Sequence, residues 1–143
     1  MSNRELNARI LHQHMVAEAA HDLDGTLATV HPDALFEDLP VGLTLRGRDA
    51  VARHYRLWWN AFGLQTDGGR LHWIDDDLVI GEADFVGVHT GDFLGKAPTG
   101  RSIRFPFMVI VRFRDGLLSG EKFFYDLNGI MAQIGEPSFA VSE

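Results

Sequence analysis

The hydrophobic period of this chain changes once, at Gly63: apolar side chains recur at helical spacing before it and alternate after it. Leu6, Ile10, His14 and Ala17 follow the spacing of one helix face. From Arg48 to Phe62 a second long helix carries a stripe of Val51, Tyr55, Trp58 and Phe62. Between them, Asp22 is placed to cap a short helix running through Leu23, Leu27 and Val30, with Pro32 at its end or just beyond. Residues 34–38 read as a short strand closed by Pro40 and Gly42. Beyond Gly63, strands are expected at 71–74, 78–93, 101–113 and 117–126, then a short helix at 127–134. Arg114-Asp115-Gly116 is a hairpin signal, and 94–100 is a turn-rich loop. Helices followed by a meandering sheet specify an α+β class, and 143 residues suit one domain spanning 1–143.

Composition narrows the function classes. Thirteen Lys and Arg against twenty Asp and Glu leave a formal charge of −7, which argues against nucleic acid or an anionic membrane as main partner. The chain has no cysteine, so disulfides, thiolate nucleophiles and zinc–thiolate sites are excluded. No apolar run approaches a membrane span and the opening residues lack the apolar core of a signal peptide, so the expectation is a soluble, cytoplasmic protein. His12 and His14 point apart on a helix and cannot share a metal, and Asp75-Asp76-Asp77 lacks the rest of a calcium loop. Neither metal nor cofactor is expected.

The segment Phe105-Pro106-Phe107-Met108-Val109-Ile110-Val111 is apolar on both faces, whereas an antiparallel strand normally keeps one face wet. A second subunit packing sheet to sheet is the simplest cover, which predicts a homodimer. Helices wrapping both sides are the alternative.

Two stretches resemble a known family. Val88-His89-Thr90-Gly91-Asp92-Phe93, Gly95 and Ala97-Pro98-Thr99-Gly100-Arg101 resemble a signature of the SnoaL-like polyketide cyclases. Asp115-Gly116-Leu117, Tyr125-Asp126 and Gln133-Ile134-Gly135 are similar to that family's ending. His21-Asp22-Leu23-Asp24 and the segment from Leu45 to Val51 extend the likeness over about residues 10–136. The resemblance implies the fold shared by nuclear transport factor two and ketosteroid isomerase. There a curved antiparallel or mixed sheet wraps around helices into a cone with an apolar cavity. It also implies cofactor-free acid/base catalysis of an intramolecular aldol closure on a hydrophobic carbonyl compound.

Four residues are candidates for that chemistry. Asp126 follows Phe123-Phe124-Tyr125, and an acid beside apolar surface has its pKa raised toward the useful range. The resemblance makes it the match for the cyclases' acid/base; it is equally suited to cap the helix starting at Leu127. His14 interrupts an apolar stripe and occupies the place of the isomerase's oxyanion tyrosine, or is a satisfied core histidine. Asp38, in Phe36-Glu37-Asp38, resembles the isomerase base segment, with one extra residue before Pro40. The isomerase's second acid would fall near Val109, which donates no hydrogen bond and argues against steroid isomerisation. His89 stands between glycines that permit close approach of a ligand or another strand, or serves the 94–100 loop.

Trp58, Trp59, Phe62, Phe105, Phe107 and Tyr125 are the expected walls for a small hydrophobic ligand. The competing functions are a non-catalytic binding or interaction module of the same shape, and another isomerase or hydrolase reaction on it.

Overall fold

The computed structural model describes residues 1–136. Helix α1 (Asn3–Ala19) is capped by Ser2, whose side chain accepts from the Glu5 amide; α2 is Leu23–Leu27 and α3 is Gly47–Phe62. The strands are β1 (Val30–Asp38), β2 (Leu43–Arg46), β3 (Gln65–Asp75), β4 (Leu78–Val88), β5 (Ser102–Arg114) and β6 (Leu117–Tyr125), with α4 (Leu127–Gln133) last. They form one curved, unclosed sheet in the order β2-β1-β6-β5-β4-β3. Neighbours are antiparallel except β1 and β6, which run parallel, so the sheet is mixed.

Alternation on β5 sorts the two faces. Ile103, Phe105, Phe107, Val109, Val111 and Phe113 are buried toward the helices, while Pro106 and Met108 point outward and are exposed. On α3 the expected stripe is buried, and His54 joins it at the same helical spacing. Trp58 and Phe62 from α3 meet Phe93, Ile103, Phe105, Ile130 and Ile134 in a core that α4 closes. No described helix is long and apolar enough to cross a membrane.

Several expectations are corrected. The buried face of α1 is Asn7, Leu11 and His14, whereas Leu6 is exposed. Asn7 can be buried because its amide nitrogen donates to the Asp76 carbonyl (2.8 Å) and Asp77 Oδ1 (3.1 Å), which gives the triple-aspartate turn the role of anchoring α1.

Val30 and Pro32 belong to β1, not to the second helix. The β1–β6 register shifts between Val30 and Leu35, and Pro32 sits in that irregular stretch, where a missing amide costs no ladder bond. Strand β2, not expected from the sequence, is too short to show a period. Strand β3 is longer than expected at its start because almost all its side chains are exposed and Gly68-Gly69 breaks the register, which erases alternation. Strand β4 ends at Val88, short of the expected 93.

Candidate active site

A narrow cavity of about 40 Å3 lies between α1, α3 and the concave face of the sheet, with Trp58, Trp59, Phe85, Phe105, Phe123 and Tyr125 among its walls. Its polar end is built on Asp38, the last residue of β1, which is 1 % exposed. Asp38 Oδ2 accepts from His54 Nε2 (2.8 Å) and Trp58 Nε1 (3.1 Å), and Oδ1 accepts from the Tyr125 hydroxyl (2.5 Å). Helical spacing places His54 and Trp58 on one face of α3, and alternation turns Tyr125 inward from β6. Indole and phenol supply their hydrogens to the carboxylate, so the His54 contact is an Nε2–H donation too. That fixes the tautomer and leaves Nδ1 with a lone pair. Nδ1 is buried and, among the described residues, has no hydrogen-bond partner. Burial first, then the charge and hydrogen bond of Asp38, hold the Tyr125 phenol well above its ordinary pKa, so it stays a neutral donor.

A second, larger cavity of about 270 Å3 shares Glu18, Phe85 and Phe123 with the first. Its charged wall is His14, Glu18 and Glu121. His14 is 2 % exposed; Nδ1 lies 2.7 Å from Thr29 Oγ1, and Nε2 lies 3.0 Å from the Tyr55 hydroxyl, 3.3 Å from Glu18 and 3.4 Å from Glu121. Burial pushes the His14 imidazole down, but its bonds to Glu121 and Glu18 outweigh burial and raise it to about 10. Burial raises Glu121, opposed by its bond to His14. Tyr55 is raised by burial and then by both carboxylates.

The structure brings two of the four expected catalytic residues, His14 and Asp38, to the cavity walls. Asp126 lies elsewhere. Strand β6 ends at Tyr125, and the chain turns so that Asp126 caps α4, its Oδ1 accepting from the Gly129 amide at 2.9 Å. It borders an open groove on the outer face of the sheet, with Met108 and Phe124, and lines neither cavity.

His89 is fully buried but serves the 94–100 loop. Its Nδ1 accepts from the Thr99 amide at 3.2 Å, and its backbone bonds Gly100 and Arg101. Of the expected walls, Trp58, Trp59, Phe105 and Tyr125 line the narrow cavity and Phe107 the larger one, whereas Phe62 is core. Trp59 is held by a parallel stack on His21, with ring centroids 4.7 Å apart.

His54, Tyr55, Glu18 and Glu121 are functional candidates that the sequence pattern did not single out for a site. The signals existed: His54 is embedded in the apolar stripe of α3, Glu18 lies one turn after His14, and Glu121 shares the parity of Phe123 and Tyr125.

A buried carboxylate that orients a histidine on the wall of an aromatic cavity, with the histidine's second nitrogen unpartnered among the described residues, is an arrangement suited to taking a proton from a bound molecule and returning it. Residues 10–134 match the family model of the SnoaL-like polyketide cyclases. The chain belongs to that family.

A candidate polyketide cyclase from Xanthomonas campestris pv. campestris shares its fold with a TM-score of 0.86 and 22% identity, covering 94% of this chain and 100% of that one. AclR, a candidate hydroxylase from Streptomyces galilaeus, gives 0.79 at 19% identity over 94% and 84% of the two chains. A protein with a ketosteroid isomerase-like fold from Catenulispora acidiphila gives 0.75 at 19% over 93% and 97%. At these identities the likeness concerns the fold, and the different activities attached to it leave the reaction to be argued from the site. No curated protein matches this chain by sequence.

Proposed function

We propose that this SnoaL-like protein is a cofactor-free acid/base enzyme that closes a ring by intramolecular aldol condensation on a hydrophobic carbonyl compound, with His54 as the base. The observation that carries the reading is His54 itself: Nε2–H is committed to buried Asp38, while Nδ1 is buried, unpartnered and part of a residue on the wall of an aromatic cavity. Nδ1 takes a proton from the carbon α to a carbonyl. The resulting enolate carbon attacks a second carbonyl of the same molecule; a C–C bond forms, the C=O π bond becomes an alkoxide, and the alkoxide takes the proton back from the imidazolium. Asp38 holds the ring and stabilises its cationic state, and Trp58 and Tyr125 hold Asp38. In this reading Asp126 is a structural cap. The same proposal takes the enzyme to be a dimer through the outer face of its sheet.

Proton abstraction can be read without the natural substrate, by following deuterium entry at the activated methylene of 2-tetralone in D2O by NMR. Wild type is expected to accelerate exchange. His54→Gln is expected to lose on the order of 10²-fold or more of that rate, and Asp126→Asn to stay within about twofold. A folded His54→Gln that retains the rate, or an Asp126→Asn that loses it, overturns the assignment. Binding of 2-tetralone without exchange by wild type would instead favour a non-catalytic binding module.

A further inference from the structure

The cavity that holds the proposed base is smaller than the ring compounds it would act on. In a protein interior about 150 Å3 accommodates one benzene ring, and the cavity beside His54 offers about 40 Å3. The larger cavity has the room, about 270 Å3, but His54 is not among its walls. For a flat cyclic ketone to reach His54, one wall of the narrow cavity must give way. We infer that this wall is Trp59, latched by His21: the indole swings aside to admit the ligand and so selects it by size, and His21 is the positioning residue. The inference deepens the reading of His54 as the base and rests on it for the reaction behind the gate.

The other walls are tied. His54, Trp58 and Tyr125 donate to Asp38, and the Tyr55 hydroxyl lies 3.0 Å from His14 Nε2. Phe85, Phe105 and Phe123 stand on β4, β5 and β6, each of which is paired on both sides. Trp59 differs. It is partly exposed, and among the described residues its indole N–H makes no hydrogen bond. The ring leans on Tyr55, with centroids 5.2 Å apart and planes at 38°, and lies flat on His21 at 4.7 Å and 10°.

His21 is built as the latch. It follows α1 with φ 51°, the left-handed conformation in which a helix end ordinarily carries glycine. A histidine there is strained, and what the strain secures is the position of a ring. Its Nε2 lies 2.8 Å from the Leu64 carbonyl, which only accepts, so Nε2–H donates and the imidazole is held parallel to the indole. Leu64 itself lines the narrow cavity. One hydrogen bond and one stack between partly exposed rings hold this wall, so it opens before the buried ones do.

The test follows binding of 2-naphthol, a flat non-reacting analogue of the 2-tetralone enol, by stopped-flow fluorescence. The proteins are wild type, His21→Gly, His21→Asn and Trp59→Ala. Glycine and asparagine both tolerate the left-handed turn, and neither stacks on an indole. Each variant is expected to associate about tenfold or more faster than wild type, because a required opening step slows association. Wild type is also expected to favour 2-naphthol over tricyclic 2-phenanthrol, and Trp59→Ala to lose that preference. A merely structural His21 would lower the melting temperature and leave the association rate alone. A folded His21→Gly or His21→Asn that associates at the wild-type rate therefore overturns the proposal. So does failure of 2-naphthol to bind any of the four proteins, or an unchanged size preference in folded Trp59→Ala, whereas binding to the variants alone supports it. Should Trp59→Ala fail to fold, the His21 variants carry the test, with size preference read on them. Binding involves no proton abstraction, so the gate is read whether or not His54 proves to be the base, which tetralone exchange decides separately.

Discussion

At the scale of single residues, the chemistry of this protein depends on which polar side chains are taken out of water. Asp126 and Asp38 are the same residue type, both at strand ends, yet one sits at a helix cap and the other holds three donors in the interior. Sequence alone offered each a catalytic role, and Asp126 a helix cap as well. Tyr125 was legible as inward-facing, but the turn that takes Asp126 off the strand one residue later is set by α4, which needs a cap. His14 was legible because a histidine in an apolar stripe is conspicuous. Its partners were not, since Glu121 approaches from β6, at the far end of the chain.

That pairing has a pH signature. The folded pKa of His14 is raised from 6.5 to about 10, so its stabilising contribution is complete below 6.5 and is lost as pH rises through 10. Glu121, also raised, works in the same direction at lower pH, because its neutral form is favoured in the folded state. Wild type should therefore lose its advantage over His14→Gln between pH 6.5 and 10. The loss should reach about 2 kcal/mol or more, since each tenfold gain in proton affinity on folding is worth roughly 1.4 kcal/mol. Denaturant unfolding across that range checks it, and parallel curves for the two proteins would count against the pair.

At the scale of elements, the stripe on α3 and the alternation of β5 were readable because each buries one face with its own period. Strand β3 was poorly readable because it is an exposed edge strand with a glycine-centred irregularity, and β1 because a proline sits where its register shifts.

The glycines around His89 belong to this scale. Their expected role was close approach of a ligand or a strand; the partner is the carboxyl end of α3. A Cβ on Gly91 would run into the Asn60 carbonyl oxygen, and one on Gly87 into that of Phe62. The amides of Thr90 and Gly91 both donate to the Ala61 carbonyl, so the signature strand and loop satisfy the last turn of the helix. Gly91→Ala should therefore lower stability by about 2 kcal/mol or more, as overpacking against backbone does. Gly95→Ala meets no atom and loses only what its positive φ costs, about 1 kcal/mol. Thermal melts of the two variants decide it. Equal losses would mean that the approach to α3 is not what requires a glycine at 91.

At the scale of the molecule, the helices fill one face of the sheet, and the described residues leave the other face open. Met108 on β5 lies across from Phe124 on β6, and Ile110 across from Ile80 on β4, so an apolar patch runs over three strands between Glu82, Asp84, Lys122 and Arg112. Met108 is 47% exposed and Phe124 41%. A patch of this kind on the sheet's open face can meet its own copy across a twofold axis, where each apolar residue finds another and the mixed charges fall at the rim. About 800 Å2 per subunit is what a stable pair requires, and three adjacent strands offer a surface of that order. Light scattering on wild type at tens of micromolar should give twice the 16.0 kDa mass of the chain. The double variant Met108→Asp, Phe124→Asp should give the single mass, since it places two carboxylates on each side of the contact at positions that are already exposed in the monomer. A monomeric wild type would show that the open face is simply wetted. A dimer that survives the double substitution would move the interface to another surface, away from the strands that carry the cavity walls.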